Sequence, residues 1–195
     1  MQERSVSIYV VGPSSTGKTT LCNALARKLG LSEAAYVTEV ARQVMKDKGY
    51  SRNTISSVQM QKDIMDAHYV RERLLDDLQC PIRLFDRSAL DPIVYAILTS
   101  ESEDEVNDRK TLLMKPEEFQ VALARYKSKN SIVILLKPVP EWLKDDGVRS
   151  LENQEQCLDI FRSLLAELGI EYHEFGKEAK FLEERVNCTM GLARF

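Results

Sequence analysis

The chain has 195 residues, 44% hydrophobic and 29% charged, with 27 Lys and Arg against 30 Asp and Glu and a formal net charge of −3. That balance fits one ordinary globular domain with a sizeable core over residues 1–195. It supplies no broad basic field, so non-specific nucleic-acid binding is not favoured, although a local basic cleft for phosphates is compatible with it.

Val6–Val11 is an apolar, β-branched run and reads as a buried strand. Residues 12–19, Gly-Pro-Ser-Ser-Thr-Gly-Lys-Thr, match the P-loop pattern. At average composition that pattern arises by accident in about one chain in a hundred of this length, so its flanks decide. Here a strand precedes it and an apolar helical pattern over 18–29, stopped by Gly30, follows it. A short strand at 35–38 and a helix at 39–48 come next, then a long helix at about 54–79 with Ile55, Val58, Met65, Tyr69 and Leu75 as its stripe. Pro81 opens a strand, Ile82-Arg83-Leu84-Phe85, that ends at Asp86, and a helix spans 92–99. The acidic run 100–110 reads as a solvated loop. A helix at 116–128 carries Pro116 in its first turn, and 131–136, apolar throughout, is a central strand. Polar segment 138–150 leads to a helix at 152–168, a strand at 170–175 and a helix at 178–192. Strands alternating with helices predict an α/β fold, a five-stranded parallel sheet with helices on both faces. Ligands in such sheets bind beyond the carboxyl ends of the strands. The P-loop, Glu39, Asp86 and segment 138–150 all fall at that edge. No linker or repeat interrupts the pattern.

The P-loop assigns the first candidate residues. Gly12 and Gly17 free the backbone to wrap a polyphosphate, and the new helix aims its positive end at the same place. Gly12, Ser14, Ser15, Thr16, Gly17, Lys18, Thr19 and Thr20 are the expected nucleotide-binding set. Lys18 adds a mobile charge between the outer phosphates, and Thr19 offers a hydroxyl to Mg2+. Opposite it a carboxylate is needed, and Asp86 at its strand end meets that need, or else serves as a turn or cap residue. Arg87 is placed to steady an acceptor or the transferring group. Asp91-Pro92 is ambiguous, with a helix cap as the plain reading. Glu39, at the second strand's end, is a candidate for drawing the proton of an acceptor hydroxyl, or a first-turn Glu that favours the helix dipole. Arg42, three residues on, either pairs with it or is surface. In segment 138–150, lids of small-molecule kinases have their place, and Arg149 is the arginine expected at the γ-phosphate, with Lys144 and Arg162 behind it. Asp146-Gly147 would aim it inward. Trp142 reads as packing more than as a base platform. His68 and His173 lack metal-like partners and read as structural. Gln59 and Gln61 border the acceptor side without specific assignment. The cysteines Cys22, Cys80, Cys157 and Cys188 have no zinc spacing and read as reduced, buried thiols of a cytoplasmic protein. No apolar run reaches membrane-spanning length, and no signal peptide fits before the first strand.

Asp86-Arg87-Ser88 at a strand end resembles the nucleoside-kinase branch of P-loop kinases, and no Asn-Lys-x-Asp motif of GTPases is visible. Glu39-Val40-Ala41-Arg42 looks like the ribosylnicotinamide kinase domain of the bifunctional bacterial regulator of NAD synthesis, and equally like the AAA-type ATPase family grouped with it. Lys137-Pro138 through Asp146-Gly147-Val148-Arg149 extends that likeness, which covers about residues 6–190. The chain differs in the Glu141 between Pro140 and Trp142, in residues 100–115, and in having no counterpart of the adenylyltransferase domain. The resemblance implies a P-loop kinase, using ATP or alternatively GTP with Mg2+, that phosphorylates a hydroxyl of a small nucleoside-like acceptor such as nicotinamide riboside. Its named roles are Lys18, Glu39, Arg87 and Arg149 in catalysis and Thr19 and Asp86 at the metal. Two other readings stay open: a non-catalytic nucleotide switch, and a kinase of 5′-hydroxyl polynucleotide ends. The acceptor and the oligomeric state are not encoded in any motif.

Overall fold

The computed structural model describes residues 5–139 and 153–193. Strands β1 (Val6–Val11), β2 (Tyr36–Val37), β3 (Ile82–Asp86), β4 (Ser131–Leu136) and β5 (His173–Phe175) form a parallel sheet in the order β2-β3-β1-β4-β5. The expected five-stranded α/β architecture is therefore present. The helices are α1 (Lys18–Leu29), α2 (Val40–Lys48), α3 (Val58–Asp77), α4 (Leu90–Leu98), α5 (Glu103–Met114), α6 (Glu117–Tyr126), α7 (Gln154–Leu168) and α8 (Leu182–Ala193).

Side chains alternate across each strand and so divide the core in two. Ile8 and Val10 of β1, with Leu84, Ile134 and Leu136, pack with Leu21, Cys22 and Leu25 of α1 and Val186 of α8. Tyr9 and Val11, with Phe85, Val133 and Leu135, face the other way, against residues of α3, α4, α6 and α7. Each face is covered, and β1 lies between β3 and β4 at the centre of the sheet. The loop that leaves β1 is thereby flanked by two strands.

Residues 100–110 do not form a solvated loop. They enter α5, because the Ser102 hydroxyl accepts from the Glu105 amide and Glu103, Asp104 and Glu105 sit at the helix's positive end. Arg109 then pairs with Glu105 and donates to the Ala96 carbonyl at 2.9 Å and the Thr99 hydroxyl at 3.0 Å. The long helix is also shorter than its apolar spacing predicts. Residues Arg52–Thr54 make a 3-10 turn closed by a reciprocal Ser51–Thr54 cap, and α3 starts afresh after Ser57. The fourth helix begins earlier than expected, at Leu90, directly after the turn at Ser88. No helix among the described residues is long and apolar enough to cross a membrane. The four cysteines are free, and Cys188 is exposed rather than buried.

One polar cluster lies within the core. Glu72 of α3, 2% exposed, accepts from the Tyr126 hydroxyl at 3.0 Å and from Arg125 at 3.1 Å. Arg125 and Arg83 both pair with Asp76. Burial pushes Glu72 up to about 7, against the pull of Tyr126 and Arg125. Its pKa in the fold thus lies above its unfolded value of about 4.3. The fold binds a proton there that the unfolded chain has lost, so its contribution to stability is complete below the unfolded pKa and disappears as pH rises through about 7. Replacing Glu72 by Gln should flatten this dependence. Urea midpoints at about pH 5 and about pH 8 should differ less for Glu72→Gln than for the wild type. Equal differences in the two proteins would remove Glu72 as the source.

Candidate functional site

The P-loop leaves β1 through Gly12, whose φ is +135°. A Cβ on Gly12 would lie 2.6 Å from the Leu136 carbonyl oxygen, a backbone atom of the neighbouring strand that cannot move aside. Glycine is required here by both conformation and space. Gly17, with φ +88°, makes the turn into α1. Between them, the Thr16 hydroxyl donates to the Pro13 carbonyl at 3.0 Å. Lys18 is 3% exposed and folds over the loop, donating to the Pro13 carbonyl and, at 3.3 Å, to the Thr16 hydroxyl. Ser14 is held from two sides. Its hydroxyl lies 2.8 Å from the Tyr95 hydroxyl of α4, and its carbonyl accepts from Gln154 of α7 at 2.8 Å.

The Thr19 hydroxyl donates to Asp86 Oδ2 at 2.6 Å. Thr38, one residue past β2, donates to the same oxygen at 3.3 Å. Asp86 therefore joins the ends of β2 and β3 to the first turn of α1, and it is 6% exposed. This Thr–Asp pair is a set of hard oxygen donors, of the kind that suits Mg2+ rather than a soft metal. The residues present thus fit a magnesium ion shared with a bound polyphosphate.

Glu39 adopts a left-handed conformation, φ 58°, and stands at the N-cap of α2 rather than in its first turn. Its carboxylate is 42% exposed and pairs with Arg42 at 2.9 Å, one of the pairings open from sequence. Arg87 is also left-handed, φ 81°. Its guanidinium is nearly buried and pairs with Asp91 at 2.9 Å. Burial alone would lower its pKa, but the Tyr95 hydroxyl and the Asp91 and Asp86 carboxylates around it outweigh that and hold it above its usual range. Asp91 resolves as a structural carboxylate at the start of α4. It accepts from the Ser88 amide at 2.9 Å, while the Ser88 hydroxyl accepts from the Leu90 amide at 3.2 Å. These two bonds fix the turn at Ser88 from which α4 departs, while its N-cap residue, Ala89, has no side-chain cap.

A cavity of about 170 Å³ opens beside the loop, lined by Ser15, Gly17 and Thr20 on one side and by Lys180, Leu182 and Arg185 on the other. Arg185 is 6% exposed and is fixed by the carbonyls of Ala179 at 2.8 Å and Gly176 at 3.3 Å. Arg149, with Trp142, Lys144, Asp146 and Gly147, lies outside the described residues, as does most of segment 138–150. Arg162, held in reserve as a lid cation, is instead engaged with Glu174 at 2.7 Å and Asp159 at 3.3 Å.

The structure thus brings the P-loop, Asp86, Arg87 and Glu39 to one edge. Thr38, Tyr95, Gln154, Lys180 and Arg185 were not legible as neighbours of the loop. Thr38 carried a signal, since it directly precedes Glu39 just beyond the end of β2. Tyr95, Gln154 and Arg185 come from distant helices and Lys180 from the loop after β5, with no spacing that points at residues 12–19.

The AAA domain family matches residues 7–185. No curated protein matches the chain by sequence. Among solved structures, NadR protein in complex with NAD and AMP-PNP superposes with a TM-score of 0.72 at 18% identity, over 98% of this chain and 50% of that one. NadR protein in complex with NR gives 0.72 at 19% identity over the same shares. Deoxyadenosine kinase from M. mycoides with bound dCTP gives 0.60 at 16% identity, over 95% of this chain and 97% of that one. These likenesses are of fold, and the chain spans about half the length of NadR. For Gly12→Ala, thermal denaturation should show a clearly lowered midpoint, since left-handed strain of about 1–3 kcal/mol adds to the clash with Leu136. An unchanged midpoint would contradict the close approach of the two backbones.

Proposed function

The chain belongs to the AAA domain family, and on that premise we propose that it is a P-loop kinase that transfers a phosphoryl group from Mg–ATP to the hydroxyl of a small nucleoside-like acceptor. The observation that carries this reading is the 2.6 Å bond from Thr19 to Asp86, beside a loop whose glycines and lysine suit a polyphosphate. A small-molecule kinase-like fold and the AMP-PNP and NR complexes of NadR add support. Nicotinamide riboside is the acceptor that the family resemblance suggests.

In this reading the backbone of Gly12–Thr20 holds the triphosphate. Lys18 exchanges the oxygens of Pro13 and Thr16 for phosphate oxygens, which leaves the loop's own geometry intact. Thr19 and Asp86 would hold magnesium, which when bound neutralises charge on the phosphates. The cavity beside Thr20, Lys180 and Arg185 takes the sugar and base of the donor. Glu39 orients the acceptor hydroxyl and receives its proton, its exposed carboxylate standing beyond the end of β2 beside Arg42. Arg87, fixed by Asp91, presents a cation to the transferring group. Arg149 enters from the sequence as a second cation in a lid over 138–150, within a single domain. The transition state of phosphoryl transfer is loose, so positioning counts for more than basicity.

Lys18→Ala should lower turnover about a hundredfold or more. Turnover near the wild-type value would take Lys18 out of the mechanism. Glu39→Gln should leave nucleotide binding, followed by calorimetry, within about twofold while transfer falls about a hundredfold. Parallel loss of both would assign Glu39 to structure. The overall reading is tested by labelled ATP and GTP offered with nucleosides, ribosides and 5′-hydroxyl oligonucleotides. Label is expected in a nucleoside-like product; nucleotide binding with no labelled acceptor would replace the kinase by a switch.

A further inference from the structure

Arg87 is the most constrained residue of the site. A non-glycine residue at φ 81° is strained and persists only where its surroundings over-determine it. Its own amide donates to the Val10 carbonyl at 3.0 Å, and its side chain is tied to Asp91. The remaining restraint comes from below. Two residues on, the Ala89 amide donates to the Tyr126 hydroxyl at 3.2 Å. That hydroxyl in turn donates to Glu72 at 3.0 Å.

Ala89, Tyr126 and Glu72 are 0%, 2% and 2% exposed. No bulk water reaches them to replace a lost bond, so each partner is needed by the next. The Tyr126 ring is also fixed, standing edge-on to Tyr9 at 4.8 Å, and Tyr9 stacks on Phe85 at 4.5 Å, the residue before Asp86. The hydroxyl thus reaches the end of the turn 86–89 directly, and the ring reaches the residue before it, Phe85, by way of Tyr9. Glu72 is held in its turn by Arg125 of α6.

Resting on the kinase reading above, we infer that Tyr126, backed by Glu72, is a positioning residue for phosphoryl transfer. It touches no reacting atom. It holds the Ala89 amide, and through it the left-handed Arg87 and the adjacent Asp86, in the geometry that transfer needs. A buried hydroxyl that both donates and accepts is suited to this, because a phenyl ring of the same shape keeps the packing and loses both bonds.

The test compares Tyr126→Phe, Glu72→Gln and a remote destabilised control, Leu168→Ala, in the full chain. The first readout needs no activity: the Arg87 side-chain NH resonance in 15N-labelled protein, assigned by its loss in Arg87→Lys. It should shift or broaden in Tyr126→Phe and stay in place in Leu168→Ala. In Glu72→Gln, whose amide oxygen still accepts from Tyr126, it should stay close to the wild type. The second readout is steady-state kinetics. Tyr126→Phe should lower kcat about tenfold with the nucleotide KM within about twofold, and Glu72→Gln should keep kcat within about threefold. An unmoved Arg87 resonance in Tyr126→Phe overturns the inference, as does a kcat no lower than that of Leu168→Ala. Failure of the kinase reading shows differently, as a wild type that labels no acceptor while the Arg87 resonance still responds to Tyr126→Phe.

Discussion

The parallel pairing of β1 with β3 sets Val10 opposite Asp86, and this register governs the rest of the edge. β1 runs on through the P-loop into α1, so a fixed offset between the two strands fixes the offset between Asp86 and Thr19. The 2.6 Å bond between them is the result. A slip of one residue would turn Asp86 to the opposite face of the sheet and separate the pair. β4 constrains the loop from the other side, since the approach of Gly12 to the Leu136 carbonyl leaves no room for any side chain. Two backbone constraints, one on each flank of β1, thus place the loop before any ligand contributes.

Strain gathers at the same edge. Among the described residues, five non-glycine residues have positive φ, and Ser15, Glu39 and Arg87 follow the ends of β1, β2 and β3 in that order. Asn153 stands next to Gln154, which bonds to the P-loop. Such conformations cost about 1–3 kcal/mol each and are kept where neighbouring bonds over-determine them. At Arg87 those bonds are the Ser88–Asp91 bond, the Arg87–Asp91 pair and the Tyr126 hydroxyl beneath Ala89. The Arg87 turn is therefore preorganised, a property useful to a reaction governed by placement of charge.

Much of this was legible in the sequence, for identifiable reasons. Strands β1 and β4 are continuous apolar runs, and the glycines, Lys18 and Thr19 stand at a spacing with one well-defined geometry. Asp86 could be read from its place at the end of an apolar strand. Residues 100–110 read as a loop because charge signals solvent, whereas three acidic residues behind Ser102 are also how a helix starts. The polar cluster of Glu72, Arg125 and Tyr126 had no local signature, since Glu72 lies about fifty residues before the adjacent Arg125 and Tyr126 and meets them only when α3 packs near α6. The same holds for Tyr95, Gln154 and Arg185, which reach the P-loop from three different helices. Arg87 was visible as a candidate cation, but its left-handed backbone and its tie to Asp91 were not.

The central claim is that the turn after β1 takes up a nucleotide polyphosphate together with a divalent ion at Thr19 and Asp86. Calorimetric titration of the purified chain with ATP and with GTP, with and without Mg2+, tests it most directly. Saturable binding of at least one purine triphosphate that strengthens with Mg2+, and that loses its Mg2+ dependence in Asp86→Asn, is the expected result. Absence of binding to either nucleotide at millimolar concentration in the presence of Mg2+ would contradict it.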